Sequence, residues 1–84
     1  MKTNPTETIH LNDRIVCDPE ICHGKPTVKG TRVMVQGVLE FLGAGDSIEA
    51  VIEEFPPITR EDVLACISSA ARLMDKPAEF YQSA

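Results

Sequence analysis

The sequence contains no tryptophan and only four aromatic residues in all, so only a modest hydrophobic core is feasible. Its 84 residues make one domain at most. A chain of this length hides only about 60–65% of the surface that its unfolded form exposes, which makes it marginal as a lone monomer. With 43% hydrophobic residues, self-association would add buried area. We therefore expect a small single-domain protein that forms a homodimer.

Cysteine is also scarce, and the three cysteines are an odd number, which argues against the disulfide framework of a small secreted protein. No apolar run approaches the roughly 18 residues that a membrane helix needs. The segment Met1–Leu11 lacks the apolar stretch of a signal peptide. The expected location is therefore the cytoplasm, where thiols stay reduced, with no membrane contact.

Positive charge is in short supply over the chain as a whole. The net charge is −5 and the pI is near 4.8, which argues against a nucleic-acid binder held by phosphate contacts alone. The excess of acid lies in residues 40–84, with nine acidic and three basic side chains, whereas residues 1–39 carry four and five.

One segment, Ile21–Leu39, is basic and contains no acidic residue. Its charges are Lys25, Lys29 and Arg32. If DNA is bound, we expect its phosphates to lie at this segment. The alternative is a solvated positive edge that pairs with the acidic half of this chain or of a partner.

Strand-like patterns occupy the first third of the chain. Turn signals occur at Asp18-Pro19 and at His23–Pro26. Residues 27–33 alternate between apolar and polar, and Gly30 indicates a bulge, a turn or a close backbone approach. The earlier apolar residues have the two-residue period of a strand and are Ile9, Leu11, Ile15 and Cys17.

From Val33 onward the apolar period becomes that of a helix. Glycines 43 and 45 end the first helix, and Pro56-Pro57 ends the second. Either Asp46 or Ser47 caps the second helix. The residues expected to face the core are Val35, Val38, Leu39 and Leu42 in the first helix, and Ile48, Val51, Ile52 and Phe55 in the second.

A third helix begins at Thr59, the predicted N-cap, with Asp62 as its capping-box partner. A short helix, a tight Pro-Pro-Ile-Thr connector and a longer helix form the outline of a helix-turn-helix. The predicted fold class is mainly α with a small N-terminal β element and a helix-turn-helix-like three-helix core. The core-facing stripe of the third helix is predicted as Val63, Leu64, Ile67, Ala70, Ala71 and Met74.

Two of the four aromatic residues, Phe80 and Tyr81, fall near the C-terminus. We divide the chain into a flexible tail (1–8), one domain (9–75) and a C-terminal tail (76–84). Aromatic anchors on a mobile terminus suit the capture of a partner protein, so Phe80 and Tyr81 are the predicted partner-binding residues. The alternative is that they fold back on the chain's own core or on a dimer mate.

Between Asp18 and Val35 the sequence resembles the signature of the domain of unknown function 433 family. That signature is an Asp-Pro, an isoleucine, a Gly-Lys-Pro, a Gly-Thr-Arg and a Val-x-Val-like pair. The match continues through Leu-Glu-x-Leu, Gly-x-Ser, Phe-Pro and Thr-x-Glu-Asp-Val, over roughly residues 12–73. Two departures, His23 in place of a frequent glycine and the cysteines 17 and 22, leave the Gly-Lys-Pro and Gly-Thr-Arg motifs intact.

This resemblance implies a helix-turn-helix-like, often dimeric, antitoxin-type regulator. Members are commonly associated with nuclease-like toxins of the PIN superfamily, which they restrain by direct contact. We therefore expect a protein that neutralises a PIN-like ribonuclease, with autoregulation of its operon as a further expectation. The alternatives are a structural dimerisation module and a stand-alone DNA-binding regulator that uses Lys25, Lys29, Arg32 and Arg60.

The acidic residues Glu61 and Asp62 count against DNA reading, because they lie in the first turn of the candidate recognition helix. Catalytic residues, a metal site and a cofactor are not expected. The nucleophile candidates Cys22 and Ser68-Ser69 have no evident base and orienting acid, and Gly24-Lys25-Pro26 lacks the spacing of a nucleotide loop. The spacing of possible zinc ligands is only loosely compatible with a structural zinc site; these residues are Cys17, Cys22, His23 and Cys66.

Overall fold

The structure is a computed structural model, and it describes residues 6–82. A small antiparallel sheet precedes a set of helices, which confirms the predicted fold class: mainly α, with an N-terminal β element and a three-helix core. The tail predictions for residues 1–5 and 83–84 lie outside the described residues. The strands are β1 (Ile9–His10), β2 (Ile15–Cys17) and β3 (Pro26–Val28), and the helices are α1 (Val35–Gly43), α2 (Ile48–Glu54), α3 (Arg60–Leu73) and α4 (Ala78–Gln82).

The three strands pair in the order β1-β2-β3. Ile15 lies opposite Val28, and Cys17 lies opposite Pro26. Pro26 begins an edge strand, a position that tolerates the missing N–H of proline. Ile15 and Val28 are both buried, so this pair turns one face of the sheet toward the helices.

Two turns separate β2 from β3. The predicted turn at Asp18 is confirmed, since the N–H of Ile21 donates to the Asp18 carbonyl over 2.9 Å. The second turn is a 3-10 turn at Cys22–Gly24, slightly ahead of the predicted position. Its residues Cys22, His23 and Gly24 all have positive φ, at 51°, 57° and 79°. Only the glycine adopts that region readily.

The strand pattern predicted over residues 27–33 is interrupted by a turn. Gly30 has a φ of +80°, which reverses the chain, and the N–H of Val28 donates to the Val33 carbonyl over 2.9 Å. Thr27 then pairs with Met34 in an isolated antiparallel bridge. Of the three roles open to Gly30, the structure shows the turn.

Local capping chemistry sets the starts of α2 and α3. Ser47 is the N-cap of α2, and its hydroxyl accepts from the N–H of Ala50 over 3.1 Å. At α3 the predicted capping box is confirmed. The Thr59 hydroxyl accepts from the N–H of Asp62, and the Asp62 carboxylate accepts from the N–H of Thr59.

A single cluster of small aliphatic side chains forms the core beneath the sheet. Burying one valine or isoleucine side chain fully stabilises the fold by about 1.5–3 kcal/mol relative to leaving it exposed. Buried polar groups are bonded: the hydroxyl of Ser69 donates to the Cys66 carbonyl over 2.9 Å. The core residues are Ile15, Val28, Val35, Val38, Val51, Ile58, Val63 and Cys66.

The face of α3 that is buried differs from the predicted stripe. Asp62, Cys66 and Ser69 point inward, and Arg14, just before β2, holds the Asp62 carboxylate at 3.0 Å. A polar contact therefore takes part in fixing the rotation of the helix. Four of the six residues in the predicted stripe are exposed instead, namely Leu64, Ile67, Ala71 and Met74.

The C-terminal tail contains a short helix, α4, that begins after Pro77. The N–H of Phe80 donates to the carbonyl of Pro77 over 3.0 Å. Apart from the half-buried Tyr81, the residues of α4 are exposed. This helix therefore extends from the end of α3 without joining the core.

Candidate functional site

Three of the four residues predicted to bind nucleic acid surround β3. Lys25 immediately precedes the strand, Lys29 immediately follows it, and Arg32 lies on the returning chain. Cys22 links the segments of Lys25 and Arg32 by hydrogen bonds. Its carbonyl accepts from the N–H of Lys25, and its thiol donates to the carbonyl of Arg32 over 3.6 Å. All three basic side chains are exposed.

Arg60, the fourth predicted residue, is the first residue of α3 and does not belong to the segment around β3. Its Nη1 atom is 3.1 Å from Oε2 of Glu49 on α2. Residues two apart on a helix do not share a face, so Arg60 points away from Asp62 and the sheet. The structure thus places Lys25 and Lys29 at the two ends of β3 and Arg32 on the returning chain, and it does not bring Arg60 to them.

A charge pair joins the N-terminal segment to the start of α3. Nη1 of Arg14 lies 3.0 Å from Oδ1 of Asp62, and the N–H of Thr59 donates to Oδ2 over 2.9 Å. Burial alone would raise the pKa of Asp62, but the bonds from Thr59 and Arg14 and the charge of Arg14 bring that pKa below its ordinary value.

The two acids predicted to repel DNA are therefore not alike. Asp62 is buried and paired, whereas Glu61 is exposed to solvent. Lys29 lines a shallow polar cleft beside this pair, together with Asp13. The positive charge of Lys29 thus lies in an environment that contains carboxylates as well as the guanidinium of Arg14.

Part of the solvent-exposed surface of α3 is apolar. We call Leu64, Ile67, Ala71 and Met74 the α3 outer face. Three of them remain 48%, 41% and 66% exposed at positions 64, 67 and 74. Their spacing of three and four residues places them on one side of the helix. The sequence pattern predicts that these residues face the core. It fails here because α3 carries apolar residues over a wide arc, and hydrophobicity alone does not distinguish the buried side of the helix from the exposed one.

An apolar groove lies between α1 and α3, with a volume of about 390 Å³. We call it the α1–α3 groove. Lys25 and Glu40 stand among its polar neighbours. Because it is formed where residues distant in sequence meet, no local pattern predicts it. Its apolar lining includes Leu11, Pro26, Met34, Val35, Leu39 and Leu73.

The predicted partner-binding residues, Phe80 and Tyr81, lie side by side on α4. Their rings meet edge to face with centroids 5.3 Å apart. The phenol oxygen of Tyr81 accepts from the N–H of Lys76 over 3.0 Å, whereas Phe80 is 59% exposed. Tyr81 therefore closes the connector to α4, and Phe80 is the ring that is free to contact a partner.

The three cysteines are free thiols. Burial, and secondarily the charge of Asp62, raises the pKa of Cys66 to about 11, and burial raises the pKa of Cys17. Across residues 6–82 no three histidine, cysteine or acidic side chains come close enough together to hold a metal ion. Over the same span no helix is long and apolar enough to cross a bilayer.

Fold and surfaces together define a small helix-turn-helix-like domain with exposed apolar and basic areas. The chain belongs to the family described as Protein of unknown function (DUF433), whose model matches residues 15–70.

Two similar proteins are much longer than this chain. The chain is 38% identical over 58 residues to the uncharacterized protein y4eO of Sinorhizobium fredii, a match that covers 68% of this chain and 26% of that protein. It is similar to the crystal structure of Rv2018 from Mycobacterium tuberculosis, with a TM-score of 0.62 and 28% identity, over 71% of this chain and 29% of the other. The chain therefore spans between a quarter and a third of the length of these two proteins.

Proposed function

We propose that the chain is an antitoxin-like regulator that binds and neutralises a PIN-like ribonuclease through the α3 outer face. The observation that carries this proposal is the exposure of Leu64, Ile67 and Met74 along one side of the longest helix. Contiguous apolar patches on small proteins mark sites of protein interaction. An apolar helix side can lie in the groove of a partner, with residues three and four apart as anchors.

Charge supports the choice of a nuclease as partner. Residues 40–84 carry nine acidic and three basic side chains, and Glu53, Glu54 and Glu61 are exposed on α2 and α3. A ribonuclease that binds the RNA backbone presents a basic surface, to which an acidic protein is attracted over long range. Family resemblance adds the PIN superfamily as the class of toxin.

This function needs no catalytic residue and no cofactor on the chain, because restraint by contact requires only a complementary surface. The cytoplasm is the compartment we propose for it, since a ribonuclease toxin acts where messenger RNA is translated. Autoregulation of the operon by the same protein is a further part of the proposal.

Co-expression with the product of the neighbouring gene tests the proposal. We expect the two proteins to elute together at low salt, and Ile67→Glu to separate them, because a charge would then be buried in the interface. Ile9→Glu is the matched control, since Ile9 is 39% exposed and Ile67 41%, but Ile9 lies on β1. Separate elution of the wild-type pair would overturn the proposal.

A stand-alone DNA-binding regulator is the second candidate. Within residues 6–82, Arg14 and Arg60 form ion pairs with acidic side chains. In the same part of the chain, Lys25, Lys29 and Arg32 form no ion pair. These three positive charges could neutralise DNA phosphates, and the affinity for DNA would then depend steeply on salt concentration. The test is a shift assay on the chain's own promoter at about 50 mM salt. Binding that survives Arg60→Ala and is weakened by Lys29→Ala, in a chain that does not inhibit the nuclease, would favour this candidate over the first.

A further inference from the structure

The α1–α3 groove is an apolar surface that residues 6–82 leave open to solvent. Its lining includes Met34 and Leu39 from the α1 side and Leu73 from α3. Leu73 is 54% exposed, so the groove is accessible to solvent at the end of α3 that precedes α4. An apolar concavity of about 390 Å³ is large enough for an aromatic side chain.

Helix α4 is the complementary feature. It presents Phe80 at 59% exposure, and a buried phenylalanine side chain removes about 150–250 Å² from water. Insertion of the ring of one chain into the groove of another would therefore bury the exposed apolar surface of both.

The chain does not fill its own groove with its own ring. Phe80 is absent from the groove lining, and the connector that precedes it is closed by local bonds. The N–H of Lys76 donates to the Tyr81 phenol, and the N–H of Phe80 donates to the Pro77 carbonyl, each over 3.0 Å. These bonds hold α4 as a compact turn beyond the end of α3.

The charged residues of the groove match those of the α4 segment. The groove carries one cation, Lys25, and one anion, Glu40. The α4 segment carries one charge of each sign as well, Lys76 and Glu79, on either side of the connector. A segment with this pattern can pair opposite charges at both ends, which disfavours a purely acidic or purely basic ligand.

We propose that Phe80 of one protomer inserts into the α1–α3 groove of a second copy of this chain, with Glu79 beside Lys25, and that the exchange is reciprocal. Because Leu73 lines the groove and also starts the connector to α4, donor and acceptor surfaces adjoin on each chain. A reciprocal exchange about a two-fold axis gives a closed dimer, whereas a one-way insertion would give an open chain. This proposal goes beyond the proposed function, since it uses a surface separate from the α3 outer face.

A mixed sample of isotope-labelled and unlabelled wild-type chains provides the direct test. Filtered NMR spectra should show intermolecular contacts from the Phe80 ring to the methyl groups of Met34 and Leu39. A dimer that lacks these contacts would overturn the proposal, and so would a chain that stays monomeric up to millimolar concentration.

Variants give an independent measure by light scattering or sedimentation. Phe80→Ala should weaken the dimer at least about tenfold, while circular dichroism stays unchanged because α4 is peripheral. Lys25→Glu and Glu79→Lys should each weaken it, and the double variant should recover. Ile67→Glu is the control that keeps the dimer while testing nuclease binding. If Phe80→Ala keeps the dimer and loses the nuclease, the ring belongs to that partner and the proposal fails.

Discussion

Arg14 and Asp62 are 48 residues apart in sequence, yet their side chains meet at 3.0 Å between the sheet and the first turn of α3. The Asp62 carboxylate also accepts from the N–H of Thr59. One acidic side chain thereby caps a helix and fixes that helix against β2. Together with the burial of Val63 and Cys66, the contact lies on the buried side of α3, and the opposite side carries the exposed apolar residues.

Replacing Asp62 with asparagine should destabilise the fold by about 1 kcal/mol near neutral pH, because a neutral amide keeps the cap but loses the ion pair with the partly exposed Arg14. The pKa of Asp62 is lowered in the folded chain. Its charge therefore contributes stability above the unfolded value of about 3.9, and that contribution is lost as the pH falls through the folded pKa.

Urea unfolding of both proteins from neutral to acidic pH measures this effect. The stability difference should be constant near neutral pH and shrink below about pH 4. The control is Glu61→Gln, at an exposed neighbouring position, which should alter stability little. A difference for Asp62→Asn that does not change between neutral and acidic pH would contradict the role given to its charge.

Gly30 and Gly43 form a matched pair of glycines. A Cβ atom added at either would meet nothing within 4 Å, but only Gly30 has a positive φ, +80°. Gly30→Ala should cost about 1–2 kcal/mol through backbone strain. Gly43→Ala, in α1, should be neutral or stabilising by up to about 1 kcal/mol. Thermal unfolding checks both, and equal effects of the two substitutions would contradict the turn at Gly30.

The buried thiol of Cys66 should react slowly with a disulfide reagent at mildly alkaline pH. Its side chain is fully buried and its pKa is raised to about 11, so little thiolate forms and little of it is accessible. Cys22 is half-buried and should react first. Labelling kinetics followed by peptide mass spectrometry measure each site. Similar rates at Cys22 and Cys66 in the folded protein would contradict this packing.

Features encoded by adjacent residues could be predicted from the sequence. Thr59 and Asp62 form the capping box because both partners lie within one helical turn. At Gly30 the sequence indicates a bulge, a turn or a close backbone approach, and the structure selects the turn. The positive φ angles of Cys22 and His23 could not be predicted, because those residue types disfavour that region unless the surrounding chain imposes it.

The candidate surfaces required tertiary information. A polar residue, Asp62, is buried on α3 where Arg14 reaches it from a distant part of the chain, and Leu64 and Ile67 face outward. Hydrophobic periodicity predicts a different rotation, in which Leu64 and Ile67 face the core. The α1–α3 groove likewise depends on how two helices and β3 approach one another, which no single segment specifies.

The most direct test of the central proposal is whether the purified chain inhibits the PIN-like nuclease that we expect the neighbouring gene to encode. RNA cleavage is measured while wild type, Ile67→Glu or Ile9→Glu is titrated against a fixed amount of nuclease. The account predicts complete inhibition at a stoichiometric amount of wild type and of Ile9→Glu, and at least about a tenfold loss of potency for Ile67→Glu. Undiminished cleavage in the presence of excess wild-type chain, or equal potency of all three proteins, would contradict it.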